Sequence, residues 1–152
     1  MTDHVDVEAL TTDDYQMLAS FRRELRRFLR FSEDAARIEG LTPAQHQLLL
    51  AIKGHPGPDA PSISQVANAL QLRRHSAVEL VGRAEANGLV SRTTDPADLR
   101  CSRLSVTAAG EHHLARLSMQ HRAELRRSRH VMIDLLQSLD PASTDVPTLG
   151  AR

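Results

Sequence analysis

The chain has 152 residues, 41% of them hydrophobic and 25% charged, with a formal net charge of zero. This size suits one globular domain with its own core and is short for two. The zero balance excludes a protein that coats nucleic acid through bulk positive charge, so any polyanion contact must come from local placement.

Residues 1–12 are expected to be flexible. From Asp13 onward, Met17, Leu18, Phe21, Leu25, Phe28, Leu29, Ser32 and Ala36 recur every three or four residues. Arg22, Arg23, Arg26, Arg27 and Arg30 take the opposite side. This pattern predicts an amphipathic helix over 13–38, stopped by Gly40. Thr42 as cap and Pro43 as first helical residue open a second helix, which carries Leu48, Leu49 and Ile52 and ends near Gly54. Three prolines between His55 and Pro61 make the next stretch a loop. Ser62-Ile63-Ser64 starts a short helix over 65–70. A brief turn follows, then a longer helix over 75–87 ended by Gly88. Strands at 89–93 and 103–106 flank a turn at Asp95–Asp98. Thr107 caps a last long helix, with Glu111 expected to satisfy its free amides. That helix carries the stripe Leu114, Leu117, His121, Leu125, Met132, Leu135, Leu136 and Leu139. The tail over 141–152 is expected to be flexible.

The order of parts predicts a mostly α fold with a small β-hairpin wing. It reads as a single domain over 13–140, a winged helix-turn-helix at 42–107 between long helices at 13–38 and 108–139. A helix-turn-helix needs a small residue where its helices cross, and Ala67 fits. It needs an apolar residue tucked beneath the turn, and Leu72 fits. Its second helix needs one buried side, here Ala77, Val78, Leu80, Val81 and Ala84. His75, Ser76, Glu79 and Arg83 then face away, where they could meet base edges or phosphates in a major groove. Arg73 and Arg74 at the helix start are placed for phosphate, as are Ser62 and Ser64 at the start of the first motif helix. Arg100 and Arg103 give the hairpin a basic tip.

The run Gly88-Leu-Val-Ser-Arg92, then Asp95-Pro-Ala-Asp98-Leu-Arg100, then Leu104-Ser-Val-Thr107-Ala-Ala-Gly110 resembles the wing of the MarR (multiple antibiotic resistance regulator) family. Leu41-Thr42-Pro43-Ala44-Gln45 resembles that family's second helix, and the likeness runs from about residue 13 to 139. The resemblance implies a homodimeric transcriptional regulator, typically a repressor, whose first and last helices interlock with those of a second copy. It implies double-stranded DNA with a pseudo-palindromic operator as partner, a recognition helix at about 75–87, and Arg100 in or beside the minor groove. It also implies relief of DNA binding by a small aromatic ligand; Tyr15, Phe28, Phe31 and His46 are candidates to line such a cleft, with core packing as the plainer reading. The apolar stripes on the two long helices point separately to an interface. Three positions depart from the family pattern. Leu99 stands where a second basic residue is common. Gly82 stands where an acidic residue is common, so a helix-to-wing ion pair is expected to be missing. Glu79 would repel phosphate yet could accept from cytosine N4.

Other chemistries find less support. Adjacent His112 and His113 point in different directions on a helix, and a single cysteine gives no thiolate cluster, so no metal site and no cofactor are expected. Cys101 lies in the wing near Arg100 and Arg103, which keeps a redox-responsive regulator as an alternative. A winged-helix protein-interaction module with weak DNA affinity is another. No nucleophile elbow, phosphate loop or paired His-Glu motif appears, so an enzyme is not expected. The single cysteine, the lack of a long apolar run and the acidic start favour the cytoplasm and no membrane contact.

Overall fold

The computed structural model describes residues 10–138. Seven elements follow in order: α1 (Thr12–Ile38), α2 (Pro43–Lys53), α3 (Ile63–Ala69), α4 (Arg74–Ala86), β1 (Val90–Thr94), β2 (Ser102–Val106) and α5 (Ala108–Gln137). The expected flexible tail over 141–152, most of the expected flexible start and the expected helix position Leu139 lie outside the described residues. The chain forms two compact units, one of residues 31–122 and one combining residues up to 30 with those from 123 onward.

Helix ends are set locally. Thr11 and Asp14 cap α1 reciprocally: Thr11 N donates to Asp14 Oδ2 at 2.7 Å, and Asp14 N donates to Thr11 Oγ1 at 3.2 Å. The helix therefore starts at Thr12, one residue earlier than the apolar period suggests. α2 and α3 begin with full capping boxes, Thr42 with Gln45 and Ser62 with Gln65. α1 and α4 end in a left-handed glycine, Gly40 at φ 80° and Gly88 at φ 70°. Behind each, the next two amides return to the last turn: Gly40 N to Arg37 O and Leu41 N to Ala36 O, Gly88 N to Glu85 O and Leu89 N to Ala84 O. The same pair of bonds closes α3 at Gln71 and Leu72, where Gln71 takes φ 54° without being glycine.

The core lies within residues 31–122. Leu48 and Leu49 of α2, Val81 of α4, Leu104 of β2 and Leu117 of α5 are fully buried. Each buried leucine contributes about 1.5–3 kcal/mol over exposure. Ala67 and Ala77 are buried where α3 meets α4, as the crossing requires. Two expectations are corrected here. Leu72 is 38% exposed, and it is Leu70 that is half-buried and packed against the core. The left-handed Gln71 between them reverses the chain, so only the first leucine stays on the core side. Val78 is 40% exposed, while Ala77, Leu80, Val81 and Ala84 form the buried side of α4.

β1 and β2 pair antiparallel from Val90 with Val106 to Thr94 with Ser102. Pro61 O accepts from Leu104 N at 2.9 Å, and Ser62 bridges Arg103, so the chain before α3 lies along β2. α5 packs closely onto the β1 corner. A Cβ on the buried Gly110 would collide with the Leu89 carbonyl oxygen and come within 2.8 Å of Val106 Cγ1. Thr107 caps α5 by accepting from Gly110 N at 3.1 Å. Glu111 does not take the expected capping role; it pairs with Lys53 at the end of α2.

His46 of α2 is 4% exposed, and its ring lies 4.8 Å from that of His121 on α5. His121 Nδ1 meets the Leu117 carbonyl at 2.7 Å, and a carbonyl only accepts, so Nδ1 carries the proton. In the neutral ring Nε2 then accepts from Ser32 Oγ at 2.8 Å. Burial first, and His121 second, hold His46 below the ordinary histidine value of 6.5.

Two outcomes follow. Gly110→Ala should cost about 1–3 kcal/mol through overpacking, read as a lower melting temperature. For His46, the unfolded chain protonates before the folded one. Its contribution to stability is therefore complete above about pH 6.5 and is lost as pH falls through the depressed folded value. Urea midpoints at about pH 8 and pH 5.5 should show this loss, and His46→Gln should flatten it.

Candidate nucleic-acid interface

α4 turns its buried side to the core and leaves Arg74, His75, Val78, Glu79, Gly82 and Arg83 exposed. Ser76 is half-buried at the margin. Beside this face, the start of α3, the first turns of α4 and the wing enclose an open concavity of about 430 Å³, lined by Ser64, Arg74, Val78, Arg92, Arg100 and Cys101 among others. Three guanidinium groups from three segments thus line one space, together with the Asp98 carboxylate.

Local bonds divide the candidate residues into two groups. Within the described residues, the side chains of Arg73, His75, Ser76, Glu79, Arg83 and Arg100 make no hydrogen bond or ion pair. Arg73 precedes α4 in extended conformation and caps nothing with its side chain, which leaves the guanidinium in solvent. In contrast, Ser62 Oγ accepts from Gln65 N at 3.3 Å as the α3 cap. Arg74 reaches back from α4 to donate to Ser64 Oγ, tying the two motif helices at their starts. Arg103 is held most firmly. Its Nε and Nη2 donate to Asp95 Oδ2 at 2.9 and 2.7 Å, and its Nη1 donates to the Ala60 carbonyl at 3.1 Å. The fork thereby joins β2 to the turn of the wing and to the loop before α3. The Ala97 amide, then Arg103, hold the Asp95 carboxyl below its usual value.

The wing tip is shaped by two aspartates. Asp95 Oδ1 accepts from Ala97 N at 2.8 Å and Asp98 Oδ1 from Arg100 N at 3.0 Å, each closing a short side-chain turn. The Arg100 backbone is thus fixed while its side chain stays free. Leu99 beside it is 81% exposed. Cys101 is half-buried, with Sγ 4.0 Å from the Ser102 carbonyl.

Gly82 supplies no ion pair to the wing, as expected, but a different helix-to-wing pair is present. Arg92 of β1 meets Glu85 of α4 at 3.1 Å, one turn beyond Gly82, because the Gly88 reversal folds β1 back beside the end of α4. Arg92 was not among the residues the sequence singled out; the signal available was a basic residue just past the Gly-Leu-Val corner. Of the candidate ligand-cleft residues, Phe31 and His46 share a cluster with His121, whose ring lies 5.4 Å from Phe31. Tyr15 and Phe28 belong to the other compact unit. His113 turns toward Glu39 at 3.6 Å, beside the Arg116–Glu39 pair at 2.9 Å. Among the described residues no group of three metal-binding side chains occurs, and no helix is long and apolar enough to cross a membrane.

A short helix, a tight left-handed turn, an exposed second helix and an antiparallel hairpin with a free cationic tip define a winged helix-turn-helix protein. The family model that matches, over residues 39–100, is that of the MarR family. A Thauera aromatica protein with the provisional name of transcriptional regulatory protein for the hcr operon is 34% identical over 96 residues, covering 63% of this chain. The chain spans 56% of that relative's length. A crystal structure of a MarR family transcription regulator superposes with a TM-score of 0.68 at 25% identity, covering 82% of this chain and 83% of the other. The transcriptional repressor CouR, solved on a 23-mer DNA duplex, superposes with a TM-score of 0.63 at 25% identity, covering 87% and 98%. Over residues 39–100 the chain is similar to the MarR family, and it shares the fold of the MarR regulators on which it superposes.

The division of the arginines can be tested. Arg103→Ala should speed amide exchange across residues 95–103, because the wing loses its tie to Asp95 and Ala60. Arg100→Ala should leave that exchange unchanged. Equal protection in both variants would refute the division.

Proposed function

We propose that this chain is a sequence-specific, DNA-binding transcriptional regulator that works as a homodimer, with repression as its action. The observation that carries this reading is the concavity between α4 and the wing, lined by Arg74, Arg92 and Arg100 with Asp98, where the Arg100 side chain makes no bond to any described residue. α4 enters a major groove, where His75, Ser76 and Glu79 meet base edges, and Arg73, Arg74 and Arg83 meet phosphate. Arg100 reaches the adjacent minor groove from the wing tip. Ser62 and Ser64 approach phosphate at the start of α3, while Arg103 supports the wing rather than the duplex.

A second copy covers the apolar sides of the long helices. Leu18, Leu25 and Leu29 of α1 are 46%, 40% and 47% exposed, and Leu125 and Leu136 of α5 are 51% and 53% exposed. A stripe of this extent left in water marks an interface. Twofold pairing of the copies then calls for a pseudo-palindromic operator. In this reading residues 13–140 act as one MarR-like domain, without enzymatic activity, in the cytoplasm. Relief by a small ligand works by population shift: a compound that fits only one spacing of the two α4 helices draws the dimer away from DNA.

The test is a mobility shift on DNA from upstream of the chain's own gene. A complex is expected at low salt, weakening as salt rises. Arg100→Ala should weaken it, lower the salt slope by about 2 because each of the two copies loses one cation, and leave the dimer intact in sedimentation. Absence of any complex at low salt would exclude the proposal.

A further inference from the structure

Val78 is the apolar residue of α4 whose exposure the fold does not explain. Its neighbours Ala77, Leu80, Val81 and Ala84 are at most 5% exposed, whereas Val78 stands 40% exposed at the flank of that buried side. A single exposed valine is ordinary on a protein surface. The company of this one is not. Arg74 lies one turn before it on α4, and Arg92 and Arg100 line the same concavity with Asp98, so Val78 is an apolar point among three cations and one carboxylate. His75 and Glu79, whose side chains have no partner among the described residues, flank it on the same helix. One turn beyond, Gly82 opens the surface: a Cβ there would meet nothing within 4 Å. A duplex can therefore close on α4 at this point with no side chain holding it off.

We infer that Val78 reads a thymine, by packing its γ-methyl groups against the thymine C5-methyl in the major groove. The inference rests on the proposed DNA-reading function and deepens it at one residue. The chemistry follows from what a major groove offers. Cations around the concavity suit phosphates, and His75 and Glu79 suit donors and acceptors on base edges. The one apolar group a base pair presents there is the methyl of thymine. A branched apolar side chain gains by covering that methyl and has nothing to gain from a guanine or cytosine edge. Removing the methyl exposes about one carbon's worth of contact, roughly 0.8 kcal/mol, which is about a four-fold change in affinity.

The test begins without a known operator. The full chain selects duplexes from a random-sequence library, and each thymine of the enriched duplex is replaced singly by uracil, which lacks only the methyl. The expected result is one thymine per half-site where uracil weakens wild-type binding about four-fold, with the effect lost in Val78→Ala and kept in Val78→Thr, which retains a methyl. If uracil is tolerated at every position by the wild type, the inference is overturned, whatever the variants do. An equal uracil penalty in Val78→Ala overturns it as well. Should no sequence be enriched, the DNA-reading function fails and the thymine contact fails with it.

Discussion

The Thr107 hydroxyl donates to the Gly88 carbonyl at 2.6 Å and accepts from the Gly110 amide at 3.1 Å. The Thr107 amide donates to the Leu89 carbonyl at 3.0 Å. Through these three bonds one residue joins the end of α4, the root of the wing and the first turn of α5. Gly110 makes the junction possible, because any side chain there would push α5 off the Leu89 carbonyl. The hairpin is thus clamped at its base and free at its tip. A few ångströms of hydrogen-bonded backbone thus connect the first turn of α5 to the end of α4 and the root of the wing.

Electrostatics in this chain is a matter of allocation. With formal charge zero, no net field draws a polyanion in. Which arginines can act is decided by which already have partners. Asp95 and the Ala60 carbonyl occupy Arg103, and Glu85 meets Arg92. Among the described residues, the side chains of Arg73, Arg83 and Arg100 have no partner. Exposed ion pairs of this sort are individually weak, so Arg92 can be drawn from Glu85 by a phosphate at small cost. Arg103 has a half-buried fork with two partners from different segments, and it is the arginine whose loss the wing would feel.

Much of the fold was legible in the residues. Gly40 and Gly88 announce their helix ends because only glycine takes a left-handed cap without strain. Thr42-Pro43 and Ser62 with Gln65 announce the starts of α2 and α3. The turn between α3 and α4 was less legible: Gln71 adopts the same left-handed cap without being glycine, so nothing in its identity shows which neighbouring leucine turns inward. The choice of Leu70 over Leu72 followed from that one dihedral. The candidate site was legible as a basic cluster but not as a division of labour. Arg100 and Arg103 look alike in sequence, and nothing beside Arg92 marks Glu85 as its partner.

The winged motif between Ser62 and Gly110 was therefore determined by the sequence, since capping, apolar period and turn residues act over a few positions and can be read one segment at a time. The tertiary structure decided which side chains the motif leaves free. Val78 is turned out, Leu72 is released from the core, Arg103 is held by a carbonyl 43 residues away, and Glu85 replaces the partner that Gly82 could not supply. Each of these depends on where distant backbone comes to lie, and hydrogen-bond partners set by chain reversal leave no periodic trace in the residues that use them.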